Sequence, residues 1–141
     1  MEIKRFGNIE GKTMMLLHGN LMCWQQFEDL IPLLERKFCV YAVSFDGFDG
    51  TGETTYTTAR DQADKLAAYI EKELDGQLDL LFAESLGCGP AYPSLIVRCF
   101  PGFGHGEIIN HPALLVSEME HFLADGKTVA DAQQNQESEI Q

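Results

Sequence analysis

The chain has 141 residues, 45% of them hydrophobic, and a formal charge of −12 from 22 acidic and 10 basic residues. That apolar share supplies one core, and the length leaves little room for a second. The acidic balance, with no basic run to offset it, repels phosphate backbones and argues against nucleic acid as a partner. The N-terminus MEIKRFGNIEGK has no apolar h-region and no apolar run approaches the ~20 residues that span a bilayer, so a soluble cytoplasmic protein without a membrane span is expected.

MEIKRF (1–6) reads as an edge strand that leads through Gly7-Asn8 into TMMLLHGN (13–20). That run, KFCVYAVSFDG (37–47) and LDLLFAES (78–85) are short apolar segments ending in Gly, Asp or Ser, the pattern of buried parallel strands that open into loops. Between them, WQQFEDLIPLLERK (24–37) places Trp24, Phe27, Leu30, Ile31 and Leu34 at helical spacing, and TTARDQADKLAAYIEKEL (57–74) puts Ala63, Leu66, Ala67 and Ile70 on one stripe. GFDGTGETT (47–55) is too rich in glycine for the interior of an element. SLIVRCF (94–100) reads as a further core strand and PGFGHGE (101–107) as a loop. PALLVSEMEHFLADG (112–126) reads as a helix that starts at Pro112 and stops near Gly126. Strand alternating with helix predicts a single α/β domain over 1–126 with right-handed crossovers, and the apolar-poor remainder, 127–141, reads as a disordered polar tail.

Cys23, Cys39, Cys88 and Cys99 include no C-x-x-C pair, and His18, His105, His111 and His121 have no metal-binding spacing. Free thiols are expected, and neither a metal nor a cofactor.

Three stretches carry chemistry. In Ala83-Glu84-Ser85-Leu86-Gly87 a serine stands between small residues at the end of an apolar strand, as a nucleophile on a tight strand-to-helix turn requires. An ordinary serine after a strand is the plainer alternative. His18-Gly19-Asn20 closes the first core strand, where a glycine lets a backbone amide approach a developing oxyanion. The plainer alternative is a glycine-bearing strand exit. His105 lies among glycines in GFGHGE, downstream of the serine; isolated, it would read as a surface histidine in a turn.

Taken together, LLHGN, VSFDGFDGTGET, FAESLGCGPA and GFGHGE occur in the order that resembles the α/β-hydrolase superfamily, in particular its small esterase and lipase-like members. The resemblance covers residues 1 to about 126. It implies a mostly parallel sheet flanked by helices and a serine hydrolase acting on a small-molecule ester or thioester through an acyl-enzyme. Ser85 would be the nucleophile, His105 the base, and the amides of Asn20 and Leu86 the oxyanion hole.

The chain departs from the family between nucleophile and base. Residues 86–104, LGCGPAYPSLIVRCFPGFG, contain no Asp or Glu where the family's acid is expected. They are also too few for the acid-bearing strand and the cap, so the expected fold is a truncated one. Glu107, Asp46 and Glu84 are the carboxylates left to orient His105, and their sequence positions single out none of them. Pro90 and Pro93 oppose a long helix after the elbow. The missing segment would leave an apolar sheet edge open, and pairing of two copies into a homodimer would cover it. The alternative to an enzyme is therefore a non-catalytic hydrolase-like domain that acts by self-association or protein binding.

Overall fold

The computed structural model describes residues 1–91 and 104–125; the expected strand at 94–100 and the tail at 127–141 lie outside them. Among the described residues four strands form one sheet: β1 (Glu2–Gly7), β2 (Lys12–Leu17), β3 (Phe38–Ser44) and β4 (Leu80–Ala83), in the spatial order β1-β3-β2-β4. β2 runs parallel to both neighbours, with Met14 opposite Val40 on one side and Leu80 on the other. β1 is antiparallel to β3 and half-buried, as expected of an edge strand. All seven residues of β3 and the last four of β2 are buried, because these strands occupy the middle of the sheet with both faces covered.

The period-2 alternation of a strand sorts this apolar material into two layers. Met14, Leu16, Val40 and Ala42 face one side, where α1 (Ile31–Leu34) and α4 (Pro112–Ala124) supply Ile31, Leu34, Leu115 and Met119. Met15, Leu17, Tyr41 and Val43 face the other, against Leu66 of α2 (Ala59–Glu73) and Ala91 of α3 (Cys88–Ala91). Burying side chains of this size stabilises by about 1.5–3 kcal/mol each.

Two helical expectations change in detail. The helix expected over 24–37 splits into a 3₁₀ turn at Trp24–Phe27 and the single turn α1. Pro32 cannot donate a backbone hydrogen bond and so cannot continue a helix from upstream, yet Phe27, Leu30, Ile31 and Leu34 are buried as their spacing predicted. On α2, Leu66 is buried and Ile70 packs at the edge of the core, but Ala67 is exposed and Gln62 takes a fully buried place. Gln62 is tolerated there because its amide is satisfied: Oε1 accepts from Asp46 N at 3.2 Å and Nε2 donates to Asp46 Oδ2 at 3.1 Å. Thr58 caps α2 by accepting from Asp61 N at 3.0 Å, a bond of the kind that stabilises by about 1 kcal/mol.

Candidate active site

β2 and β4 are parallel neighbours, so the loops that leave their carboxyl ends emerge side by side. In open α/β sheets ligands gather at that end. Just beyond β4 the backbone turns sharply. Ser85 adopts φ +47°, a left-handed conformation that costs a non-glycine residue of order 1–3 kcal/mol. Two bonds hold it there: Glu84 N donates to Leu17 O at 3.0 Å, and Gly87 N donates to Glu84 O at 2.8 Å. Gly87 packs so closely on β2 that a Cβ would lie 2.8 Å from both the Leu17 side chain and the Leu17 carbonyl. A larger residue would push the elbow off the sheet. Ala83, where the commoner motif has glycine, turns its methyl into the second apolar layer, so the departure is accommodated.

The structure brings His105 to this serine. Its Nε2 lies 3.0 Å from Ser85 Oγ, across 20 positions of sequence. The loop that delivers it turns at Gly106, φ +69°, and Glu107 Oε2 accepts from Gly104 N at 2.7 Å to brace its base. Ser85, His105, Asn20, Met22, Gln26, Glu84, Gly106, Glu107 and Asn110 line an open cleft of about 440 Å³. Of the expected oxyanion donors, Asn20 is part of the cleft wall, and Leu86 follows Ser85 in a 3₁₀ turn with its side chain packed into the second apolar layer. A second groove of about 540 Å³ opens at the amino ends of β2 and β4, but Asp79 there is occupied by Thr13 N at 2.7 Å and Thr13 Oγ1 at 3.0 Å, and its lining holds no serine, cysteine or histidine.

His18 belongs to the scaffold. It is fully buried against Phe45 and Phe48, donates from Nδ1 to the Gly19 carbonyl at 2.7 Å, and accepts at Nε2 from Phe45 N at 3.0 Å. A ring that donates from one nitrogen and accepts at the other is neutral, and burial lowers its pKa in keeping with that state. The ring thus ties the exit of β2 to the exit of β3, fixing the loop that carries Asn20.

Of the three carboxylates left open by the sequence, each has a distinct place. Asp46 binds the N-terminal ammonium, Lys65 and Gln62. Glu107 braces its own loop. Glu84 has a largely buried side chain, 12% exposed, and its Oε1 stands 3.6 Å from His105 Nε2. Gln26, which nothing in the sequence singles out, links the two loops: its Oε1 accepts from Gly19 N at 2.8 Å and its Nε2 donates to Glu84 Oε2 at 3.3 Å. Among the described residues no group of three or more His, Cys, Asp or Glu side chains could hold a metal, and no helix is long and apolar enough to cross a membrane.

No protein-family model matches the sequence and no curated relative does. Solved structures do match. An α/β-hydrolase family protein from Desulfitobacterium hafniense superposes with a TM-score of 0.60 at 23% identity, over 64% of this chain and 36% of its own. A loop variant of the haloalkane dehalogenase DbeA from Bradyrhizobium elkanii gives 0.53 at 25%, over 63% and 30%. Cfl2 from Burkholderia cenocepacia gives 0.57 at 19%, over 84% and 51%. The chain thus shares the α/β-hydrolase fold of these structures, with a four-stranded, mostly parallel sheet among its described residues. It spans about a third of the length of the first two of these structures.

Proposed function

We propose that this chain is a serine hydrolase that cleaves a small-molecule ester or thioester through an acyl-enzyme on Ser85. A dehalogenase shares the fold, so the fold by itself does not choose the reaction; the nucleophile and its partner do. The observation that carries the reading is the 3.0 Å contact between Ser85 Oγ, on a strained turn at a strand end, and His105 Nε2.

In the reaction Ser85 Oγ bonds to the substrate carbonyl carbon as its proton passes to His105 Nε2, and the carbonyl π pair moves onto oxygen. The amides of Asn20 and Leu86 hold that oxyanion. Collapse re-forms the carbonyl and expels the alcohol or thiol, which takes the proton from Nε2. Water then gives a proton to Nε2 and attacks the acyl-serine. The acid leaves, and Ser85 regains its proton.

A fluorophosphonate probe tests this directly: the wild-type chain is labelled and turns over an activated ester, and Ser85→Ala does neither. Equal rates for the two would remove Ser85 from the mechanism. The rival reading, a non-catalytic hydrolase-like domain that pairs as a homodimer, draws support from the openness of the cleft, with His105 80% exposed. Under that reading the probe leaves the chain unlabelled and sedimentation shows a species of twice the 15.8 kDa monomer mass.

A further inference from the structure

We propose that Glu84, the residue immediately before the nucleophile, is the carboxylate that stabilises the charged form of His105, approaching from the Nε2 side in place of the acid missing between Ser85 and His105. The inference rests on the serine-hydrolase reading for its catalytic meaning, but the contact itself stands on geometry. Glu84 Oε1 lies 3.6 Å from the ring nitrogen that faces Ser85 Oγ at 3.0 Å. When that nitrogen takes the serine proton, the new N–H and its positive charge form beside a carboxylate that needs no large movement to accept it. A carboxylate opposite Nδ1 would orient the ring before the reaction. One beside Nε2 acts after proton transfer, on the charged ring.

The surroundings are shaped to admit this side chain. Gly19 has no Cβ where one would lie 1.8 Å from Glu84 Oε2, and at Gly106 a Cβ would lie 2.8 Å from Oε1. Two loops from different parts of the chain, one after β2 and one carrying His105, are thus bare where the carboxylate passes between them. Gln26 holds the far oxygen at 3.3 Å, which leaves Oε1 toward the imidazole. The result is a continuous series from Gly19 N through Gln26, Glu84 and His105 to Ser85. Among the described residues the other charged group in the cleft is Glu107, whose Oε2 is already used by Gly104 N. Asp46 is spent on the N-terminal ammonium and Lys65.

The test compares the full-length wild-type chain with Glu84→Gln, which keeps the shape and the bond to Gln26 but removes the charge. In the doubly protonated ring the His105 Nε2–H resonance is expected downfield and slowed in exchange in the wild type and displaced in the variant, with the His111 and His121 signals unmoved. Labelling by the fluorophosphonate probe is expected to slow about tenfold, far less than the ~10⁴-fold effect of a buried triad acid, because solvent screens a ring as exposed as His105. In a His105→Ala background the same substitution should change labelling less than about twofold, since its effect passes through the imidazole. An unmoved Nε2–H resonance, or an equal fractional loss of labelling in both backgrounds, would overturn the proposal. Glu84→Asp, which keeps the charge but withdraws it by one methylene, should fall between the two and serves where the Gln variant does not fold. A chain that is never labelled yet shows the displaced resonance would refute the hydrolase reading and leave the coupling of Glu84 to His105 standing.

Discussion

Asp46, two residues beyond β3, and Glu84, one residue beyond β4, flank the exit of β2 on opposite sides, and their surroundings give them opposite uses. Asp46 is encircled by fixed donors: the N-terminal ammonium, Lys65 and the buried amide of Gln62. Burial alone would raise its pKa, but hydrogen bonds from Lys65, the N-terminal ammonium and Gln62 outweigh burial and hold it at about 2. Its charge persists until the solution is strongly acidic, and its role is to tie β3 to α2 and to the start of β1. Around Glu84 the described side-chain partners are the neutral amide of Gln26 and the imidazole of His105. A carboxylate saturated by cations serves stability, whereas one that faces a titratable ring can serve chemistry.

The sharpest separation between the two corners is catalytic. Ser85→Ala and His105→Ala should each reduce activated-ester turnover by about 10³-fold or more if the pair acts as a unit, and the double variant should lose little beyond either single one. Steady-state rates of the three proteins check this, and a product of the two single losses would break the pair apart. Asp46→Asn should leave the labelling chemistry in place while lowering stability by about 1–3 kcal/mol, because the Lys65 and N-terminal charges lose their partner; urea unfolding reads the loss directly.

Asp46 also sets an acid limit. Its folded pKa, about 2, lies below the ordinary 3.8, so its contribution is complete above about pH 4 and disappears as the pH falls toward 2. Acid titration of unfolding free energy should show that fall in the wild type and a shallower one in Asp46→Asn. Gly19→Ala should act on the other corner. The added methyl meets Glu84 Oε2 at 1.8 Å, so the carboxylate must move from His105, and labelling should slow by a few-fold with the fold retained. Equal labelling rates would mean that Glu84 reaches the ring by another path.

The smallest effect concerns the scaffold behind both corners. Burial holds the His18 pKa below its ordinary 6.5, so the neutral ring contributes stability that is complete above that ordinary value and declines as the pH falls below it. The urea midpoint of the wild type should therefore drop modestly between pH 7 and 5, and His18→Gln, less stable at pH 7, should show a flatter dependence. A parallel fall in both proteins would assign the slope to other groups.

Local sequence was enough for the elements that carry their own signal. TMMLLHGN, KFCVYAVSFDG and LDLLFAES read as strands, since runs apolar on both faces need cover on both, and β2, β3 and β4 fall within them, though only Leu80 of β4 is buried because β4 is an outer strand of the described sheet. The meeting of Ser85 with His105 was legible from the small residues around each and from their order, because a strained turn and a glycine-flanked loop leave marks in composition. The split of 24–37 was half legible: Pro32 was visible, but the apolar spacing across it continues unbroken, since both short turns cover one face of the sheet. Which carboxylate would face the histidine was not legible at all. Asp46, Glu84 and Glu107 are equivalent as letters, and the choice depends on the order β1-β3-β2-β4, which sets the exits of β2 and β4 side by side and lets Gln26 span 58 positions to reach Glu84. Side-chain period and turn chemistry are local properties of the chain, whereas the identity of a neighbour across a sheet is decided only when the strands pack.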